Sequence, residues 1–111
     1  MNEHVTFAAF APADLAKFQS RAALVADQLR ALANERRLMI LCRLAEHGEM
    51  RVGDLVSSVA VSQSALSQHL AVLRAEGLIT FRREAQVFWY RIADPRVKRL
   101  LATLHDLYCQ D

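Results

Sequence analysis

Residues 62–77 read SQSALSQHLAVLRAEG, and this stretch decides the fold. Ser62 is a helix N-cap, because its hydroxyl can accept a backbone N–H from the first turn. Leu66, Leu70 and Leu73 recur one turn apart and form a single apolar stripe, and Gly77 supplies the stop. The opposite face carries Gln63, Ser64, Ser67, Gln68 and Ala71, with no charge before Arg74. A solvated helix of this length ordinarily shows Glu and Lys there. Short hydroxyls and amides lie in a DNA major groove without repelling phosphate; hydroxyls reach phosphates or bases, and amides pair with adenine edges. A serine-rich exposed helix, or a face that binds another protein, is the competing reading of the segment alone.

Working outward, a short helix over Val52–Val59 has Leu55 and Val59 one turn apart and is followed by a turn around Ala60-Val61. Together with the Ser62 helix this makes a helix-turn-helix, whose second helix is the reader. Further upstream, Asn34 caps a helix over Glu35–Glu46, with Leu38, Leu41, Leu44 and Ala45 expected inward and Gly48 as its stop. Cys42, one turn beyond Leu38, is expected on the buried side. Pro12 and Asp14 suit a helix start, and Leu15, Phe18, Ala22, Val25 and Leu29 then read as one amphipathic helix. Residues 1–11 read as a flexible tail.

Downstream, Leu78–Arg83 and Gln86–Ile92 are rich in β-branched and aromatic residues and flank Glu84-Ala85, a two-stranded hairpin. Alternation sends Phe88, Tyr90 and Ile92 to the core. Arg82, Arg83 and Gln86 stand near the tip, where a basic ribbon suits phosphate or minor-groove contact. Asp94-Pro95 launches a last helix to about Cys109, with Val97, Leu101, Leu104 and Tyr108 apolar. The expected class is mainly α with a β-hairpin wing, a winged helix-turn-helix in one domain over residues 1–111.

Composition agrees and excludes other classes. A chain of 111 residues is long enough to bury roughly two thirds of its unfolded surface without a disulfide staple. A hydrophobic share of 53% argues against disorder, and three glycines with two prolines leave too few turns for an all-β sandwich and too little glycine for a phosphate loop. The net charge of +2 is too small to indicate DNA by itself, but residues 60–92 hold four arginines against two glutamates. No basic segment leads into an apolar run at the N-terminus, and no apolar stretch approaches the length of a membrane span. A cytoplasmic protein without membrane contact is expected. There Cys42 and Cys109 rest as thiols, and any bridge between them is transient or sensory. No cysteine–histidine motif accompanies them, so neither an enzyme nor a resident cofactor is expected.

ALANERRLMILCRL followed by VSQSALSQHLAVLRAEGLITFRREAQVFWYRI resembles the ArsR/SmtB-type winged-helix repressors of bacteria. The resemblance covers roughly residues 20–109. It implies a homodimer whose first and last helices form the interface, bound to an inverted-repeat operator in double-stranded DNA until an inducer releases it. It maps the reading-helix residues onto Gln63, Ser64, Ser67, Gln68 and His69, and the wing onto Arg82, Arg83 and Gln86. His69 either touches phosphate or packs against the preceding helix.

The inducers of such repressors are usually metals, but the thiolate pattern of the family does not fit. Glu49-Met50-Arg51-Val52-Gly53-Asp54-Leu55 has arginine and glycine where two cysteines belong, and the last helix offers only His105 and Asp106 for the other common site. The pair Cys42 and Cys109, with LSQHLAVLRAEGLITFRREAQ, resembles instead the sulfide- and persulfide-responsive BigR/SqrR-like branch. That resemblance implies a dithiol that reacts with sulfane sulfur, becomes linked and abandons DNA; Cys109, near a terminus, is expected as first target and Cys42 as buried resolver. A general thiol oxidant sensor remains open. So does a metal-responsive site built from Cys42, Cys109 and His105, since His105 lies one turn before Cys109. Two inert packing thiols are the plain alternative.

Overall fold

The computed structural model describes residues 11–109, so the expected tail, Ala11 apart, lies outside them. The elements are α1 (Pro12–Ser20), α2 (Ala22–Leu32), α3 (Glu35–His47), β1 (Met50–Arg51), α4 (Val52–Val59), α5 (Gln63–Ala75), β2 (Ile79–Glu84), β3 (Val87–Ile92) and α6 (Pro95–Tyr108). The strands form one antiparallel sheet in the order β1-β3-β2.

The capping chemistry legible in the sequence is realised. Asn34 accepts the Arg37 N–H at 3.1 Å, Ser62 the Ala65 N–H at 3.1 Å and Asp94 the Arg96 N–H at 3.0 Å. The end of α5 is a Schellman closure: Gly77, at φ 72°, donates to the Arg74 carbonyl at 2.9 Å, and Leu78 donates to Leu73 at 3.0 Å. Leu73 and Leu78 are both fully buried, so one apolar contact stops the helix and aims the chain into β2.

The core is the meeting of α3, α4 and α5 over the sheet. Ile40, Leu41, Leu44, Leu55, Leu66, Leu73 and Leu78 are its fully buried large side chains. On α3 the buried arc is centred on Ile40, Leu41 and Leu44. Ala45 is therefore exposed and Leu38 only half buried, and Cys42, expected inward, is exposed on the side away from that arc. On β3, Tyr90 and Ile92 are buried as expected, but Phe88 stands beyond the core edge at 39% exposure.

Two further differences have causes visible in the hydrogen bonding. The expected single first helix is broken at Arg21, where φ is −110° and ψ 2°. The Ser20 hydroxyl donates to the Lys17 carbonyl at 2.7 Å, and the Arg21 N–H closes on Phe18 at 2.9 Å, local bonds that compete with the helical ladder. β1 has only two residues, too few for a period-two pattern to register, and exists because Met50 pairs with Tyr90 and Arg51 with Trp89.

Ala60, in the turn between α4 and α5, holds a left-handed φ of 55°, where a Cβ is crowded. Ala60→Gly should stabilise the protein by about 0.5–1 kcal/mol, read as a raised midpoint in urea unfolding with an unchanged slope; a lowered midpoint would show that the turn is not strained.

Candidate nucleic-acid interface and thiol groove

The stripe Leu66, Leu70 and Leu73 is buried, which turns Gln63, Ser64, Ser67, Gln68 and Ala71 to solvent. Ser62 and Ser64 hydroxyls lie 3.4 Å apart at the start of α5, beside the unpaired N–H groups of the first turn. Gln63 and Ser67 line a cleft of about 480 Å³ whose other wall is the wing, through Gln86, Val87 and Phe88. The tertiary structure thus brings the expected reading face and the expected wing tip to one surface.

Strand register sorts the wing arginines. Pairing sets Arg83 opposite Phe88 and Phe81 opposite Tyr90, while Arg82 stands opposite Trp89 and Thr80 opposite Arg91. Arg83 therefore shares the face of the buried Tyr90, donates from Nε to the Ala85 carbonyl at 2.9 Å and lies 5.5 Å from the Phe88 ring centre. Among the described residues no carboxylate pairs with it. Arg82 lies on the other face, in a two-pronged pair with Glu49: Nε to Oε2 at 2.9 Å and Nη2 to Oε1 at 3.0 Å. The pair holds the Glu49 carboxyl below its ordinary value, chiefly through the hydrogen bonds from Arg82. Trp89 is flanked by Arg82 at 5.5 Å and Arg51 at 5.4 Å. Arg82 thus offers less free charge to a phosphate than Arg83 does.

His69 does not join the exposed face. It is half buried, and burial, followed by the charges of Arg37 and Arg36, pushes its imidazole below the ordinary value, toward the neutral form. Arg74, which sequence reading treated only as the first charge on α5, covers the Phe81 ring at 4.5 Å. A cation opposite an aromatic ring on a separate element leaves no periodic signal in the chain.

The thiols occupy a second site. Cys42 on α3 and Cys109, the C-cap of α6, line one groove of about 360 Å³ with Met39, Leu101, Leu104 and His105. Both are free and exposed. Packing still raises the Cys42 thiol above its ordinary value; burial is the main cause, the nearby Cys109 adds to it, and Arg43 opposes it. Arg43 is drawn off by Glu46 at 3.1 Å. The groove brings Cys42, Cys109 and His105 together, but among the described residues no group of three His, Cys, Asp or Glu side chains is placed to hold a metal ion. No described helix is long and apolar enough to cross a membrane.

Residues 34–80 match the model of the bacterial regulatory proteins of the arsR family. The transcriptional activator HlyU of Vibrio cholerae is 48% identical over 100 residues, 90% of this chain and 92% of the relative. This chain belongs to the arsR family. Two solved structures of that kind extend the likeness to the fold. The transcriptional repressor BigR of Xylella fastidiosa superposes with a TM-score of 0.79 at 35% identity, covering 86% of this chain and 96% of that one. A homodimeric winged helix-turn-helix DNA-binding domain from Mycobacterium bovis does so with a TM-score of 0.73 at 35% identity, covering 82% and 83%. The arsR-family chain described here is a transcriptional regulator with a winged helix-turn-helix fold, near the BigR branch, and is not an enzyme.

The mutual effect of the thiols is measurable in this arsR-family protein. With its pKa raised, Cys42 stays largely protonated at neutral pH, and its alkylation accelerates as pH climbs above the ordinary cysteine range. Cys109→Ser removes a raising influence and should move that profile to lower pH; Arg43→Gln removes a lowering one and should move it to higher pH. Iodoacetamide labelling followed by peptide mass spectrometry reads both; a profile unmoved in Cys109→Ser would separate the two sulfurs, and one unmoved in Arg43→Gln would remove Arg43 from the groove's electrostatics.

Proposed function

We propose that the chain is a homodimeric repressor that binds an inverted-repeat operator and releases it when reactive sulfur links Cys42 to Cys109. The observation that carries the inducer half is the shared groove: two thiols distant in sequence, on α3 and α6, face one cavity. The DNA half rests on the uncharged reading face and the wing across the cleft from it. Gln63, Ser64, Ser67 and Gln68 read base edges, Arg83 and Gln86 contact phosphate, and His69 and Arg82, engaged within the protein, brace that surface. HlyU is named an activator and BigR a repressor, so the sign of regulation belongs to this proposal.

Dimerisation is supported by large apolar groups that stand exposed among the described residues. α1 buries no residue. Leu15 and Phe18 on α1 are 46% and 52% exposed, and Leu107 and Tyr108 on α6 are 69% and 81% exposed. Large apolar side chains crowded onto the first and last helices mark an association surface. Two subunits related by a twofold axis then present two reading helices to half-sites about 34 Å apart.

The inducing chemistry balances with the persulfide itself as the two-electron oxidant, its sulfane sulfur leaving as hydrogen sulfide. A Cys109 thiolate attacks the terminal sulfur of a persulfide R–S–SH, forming Cys109–S–SH and releasing R–SH. The Cys42 thiolate attacks the inner sulfur, forming the Cys42–Cys109 disulfide and releasing hydrogen sulfide. If both thiols are first persulfidated, attack of one terminal sulfur on the inner sulfur of the other leaves a trisulfide, again with loss of hydrogen sulfide. A disulfide needs Cα atoms within about 7 Å, and each added sulfur extends the reach by about 2 Å. The groove spacing therefore selects the product. A link here ties α6, the partner-facing helix, to α3, which packs against α5. A shift of a few ångströms between reading helices loses contacts at both half-sites.

Reduced protein treated separately with glutathione persulfide, peroxide and zinc should show an intramolecular Cys42–Cys109 link and a fall in operator affinity with persulfide; the same link and release with peroxide would make the pair a general thiol oxidant sensor instead. Cys42→Ser and Cys109→Ser should stay bound. Release by zinc alone would transfer the role to a metal, and thiols that react without moving the affinity would reduce them to bystanders.

The wing has its own test. Arg83→Gln should lower the slope of log affinity against log salt by about one, and Arg82→Gln by clearly less, because Glu49 already neutralises it. Equal slopes in the two variants would erase that difference of roles.

A further inference from the structure

Phe88 is a large apolar residue exposed on the wing, at 39%, and its position is held. Its ring meets Phe81 edge-on at 4.9 Å, and Arg83 lies 5.5 Å from its centre. It lines the cleft whose far wall carries Gln63 and Ser67 of the reading helix, with Gln86 beside it. None of the residues lining that cleft is acidic. A reading helix in a major groove and a wing at the adjacent minor groove are separated by one sugar–phosphate strand, so that strand runs through the cleft.

We infer that Phe88 is a DNA-contacting residue that packs on the apolar face of a deoxyribose as the backbone strand passes between helix and wing, while Gln86 beside it supplies polar groups to the flanking phosphate. This rests on the DNA-binding reading above. The contact is blind to base sequence and carries no charge. Its loss therefore weakens operator and random DNA alike and leaves the salt dependence as it was, unlike loss of a phosphate-binding arginine.

The test uses the full-length protein, a duplex bearing an operator selected from random DNA by the wild type, and a scrambled duplex of equal length. Phe88→Ala should bind both duplexes about five- to tenfold more weakly with an unchanged salt slope. Phe88→Leu, which keeps an apolar group, should recover most of the loss and guards against an alanine variant that folds poorly; thermal unfolding reports on both. Ser67→Glu serves as the control and should abolish operator binding. If it does and Phe88→Ala binds like the wild type, Phe88 does not touch DNA. If Phe88→Ala weakens only the operator, Phe88 reads a base and the backbone assignment is wrong. If Ser67→Glu also binds normally, the reading helix is misassigned and this inference falls with it.

Discussion

Burial of Leu66, Leu70 and Leu73 is the contact on which the molecule turns. All three are essentially inaccessible, and each such leucine contributes roughly 1.5–3 kcal/mol of burial. The energy matters less than the orientation it imposes. A helix with one leucine stripe sealed into the core of α3 and α4 has no rotational freedom, so Gln63, Ser64, Ser67 and Gln68 are held outward as a rigid set. The Schellman closure at Gly77 extends that rigidity into the sheet, because Leu73 and Leu78 belong to the same core. The spacing between reading helix and wing is thereby built into the packing.

Charge on the wing is distributed by the same logic. Two consecutive arginines in a strand point to opposite faces, and their surroundings then differentiate them. Arg82 meets Glu49 and Trp89; Arg83 meets the turn carbonyl and Phe88. A count of basic residues treats them alike, whereas among the described residues one guanidinium has no carboxylate partner and the other is already paired on the opposite face of the sheet. The outer face, with Arg51 and Arg82 on either side of Trp89, ties the short β1 strand to the hairpin. The wing is thus anchored to the segment that leads directly into α4.

The thiol groove lies on the side of α3 away from its buried arc, against α6. α3 packs against both α4 and α5, so a covalent link at the groove acts on a helix that already belongs to the core of the reading unit. α6 in turn carries the uncovered Leu107 and Tyr108. One element carries exposed apolar side chains, another packs against α5, and the thiols stand in a groove that both line.

Periodicity and caps were enough to place α3, α4, α5, α6 and the hairpin, because each is specified by neighbours within a turn or a strand. Asn34, Ser62, Gly77 and Asp94 are local signals with local causes. The exposed polar face of α5 was legible for the same reason: a leucine stripe on one side of a helix defines the other side. What sequence alone could not carry were relations between elements. Resemblance, not spacing, paired Cys42 with Cys109; their common groove depends on where α3 and the end of α6 come to lie, and Cys42 is exposed because the buried arc of α3 centres on Ile40, Leu41 and Leu44. The break at Arg21 depends on a serine hydroxyl choosing a backbone carbonyl, β1 on a partner strand far along the chain, and the unlike fates of Arg82 and Arg83 on what each meets across the sheet. Local hydrogen bonding and apolar periodicity are written in consecutive residues; the meeting of distant side chains is decided only when the core closes and orients every face at once.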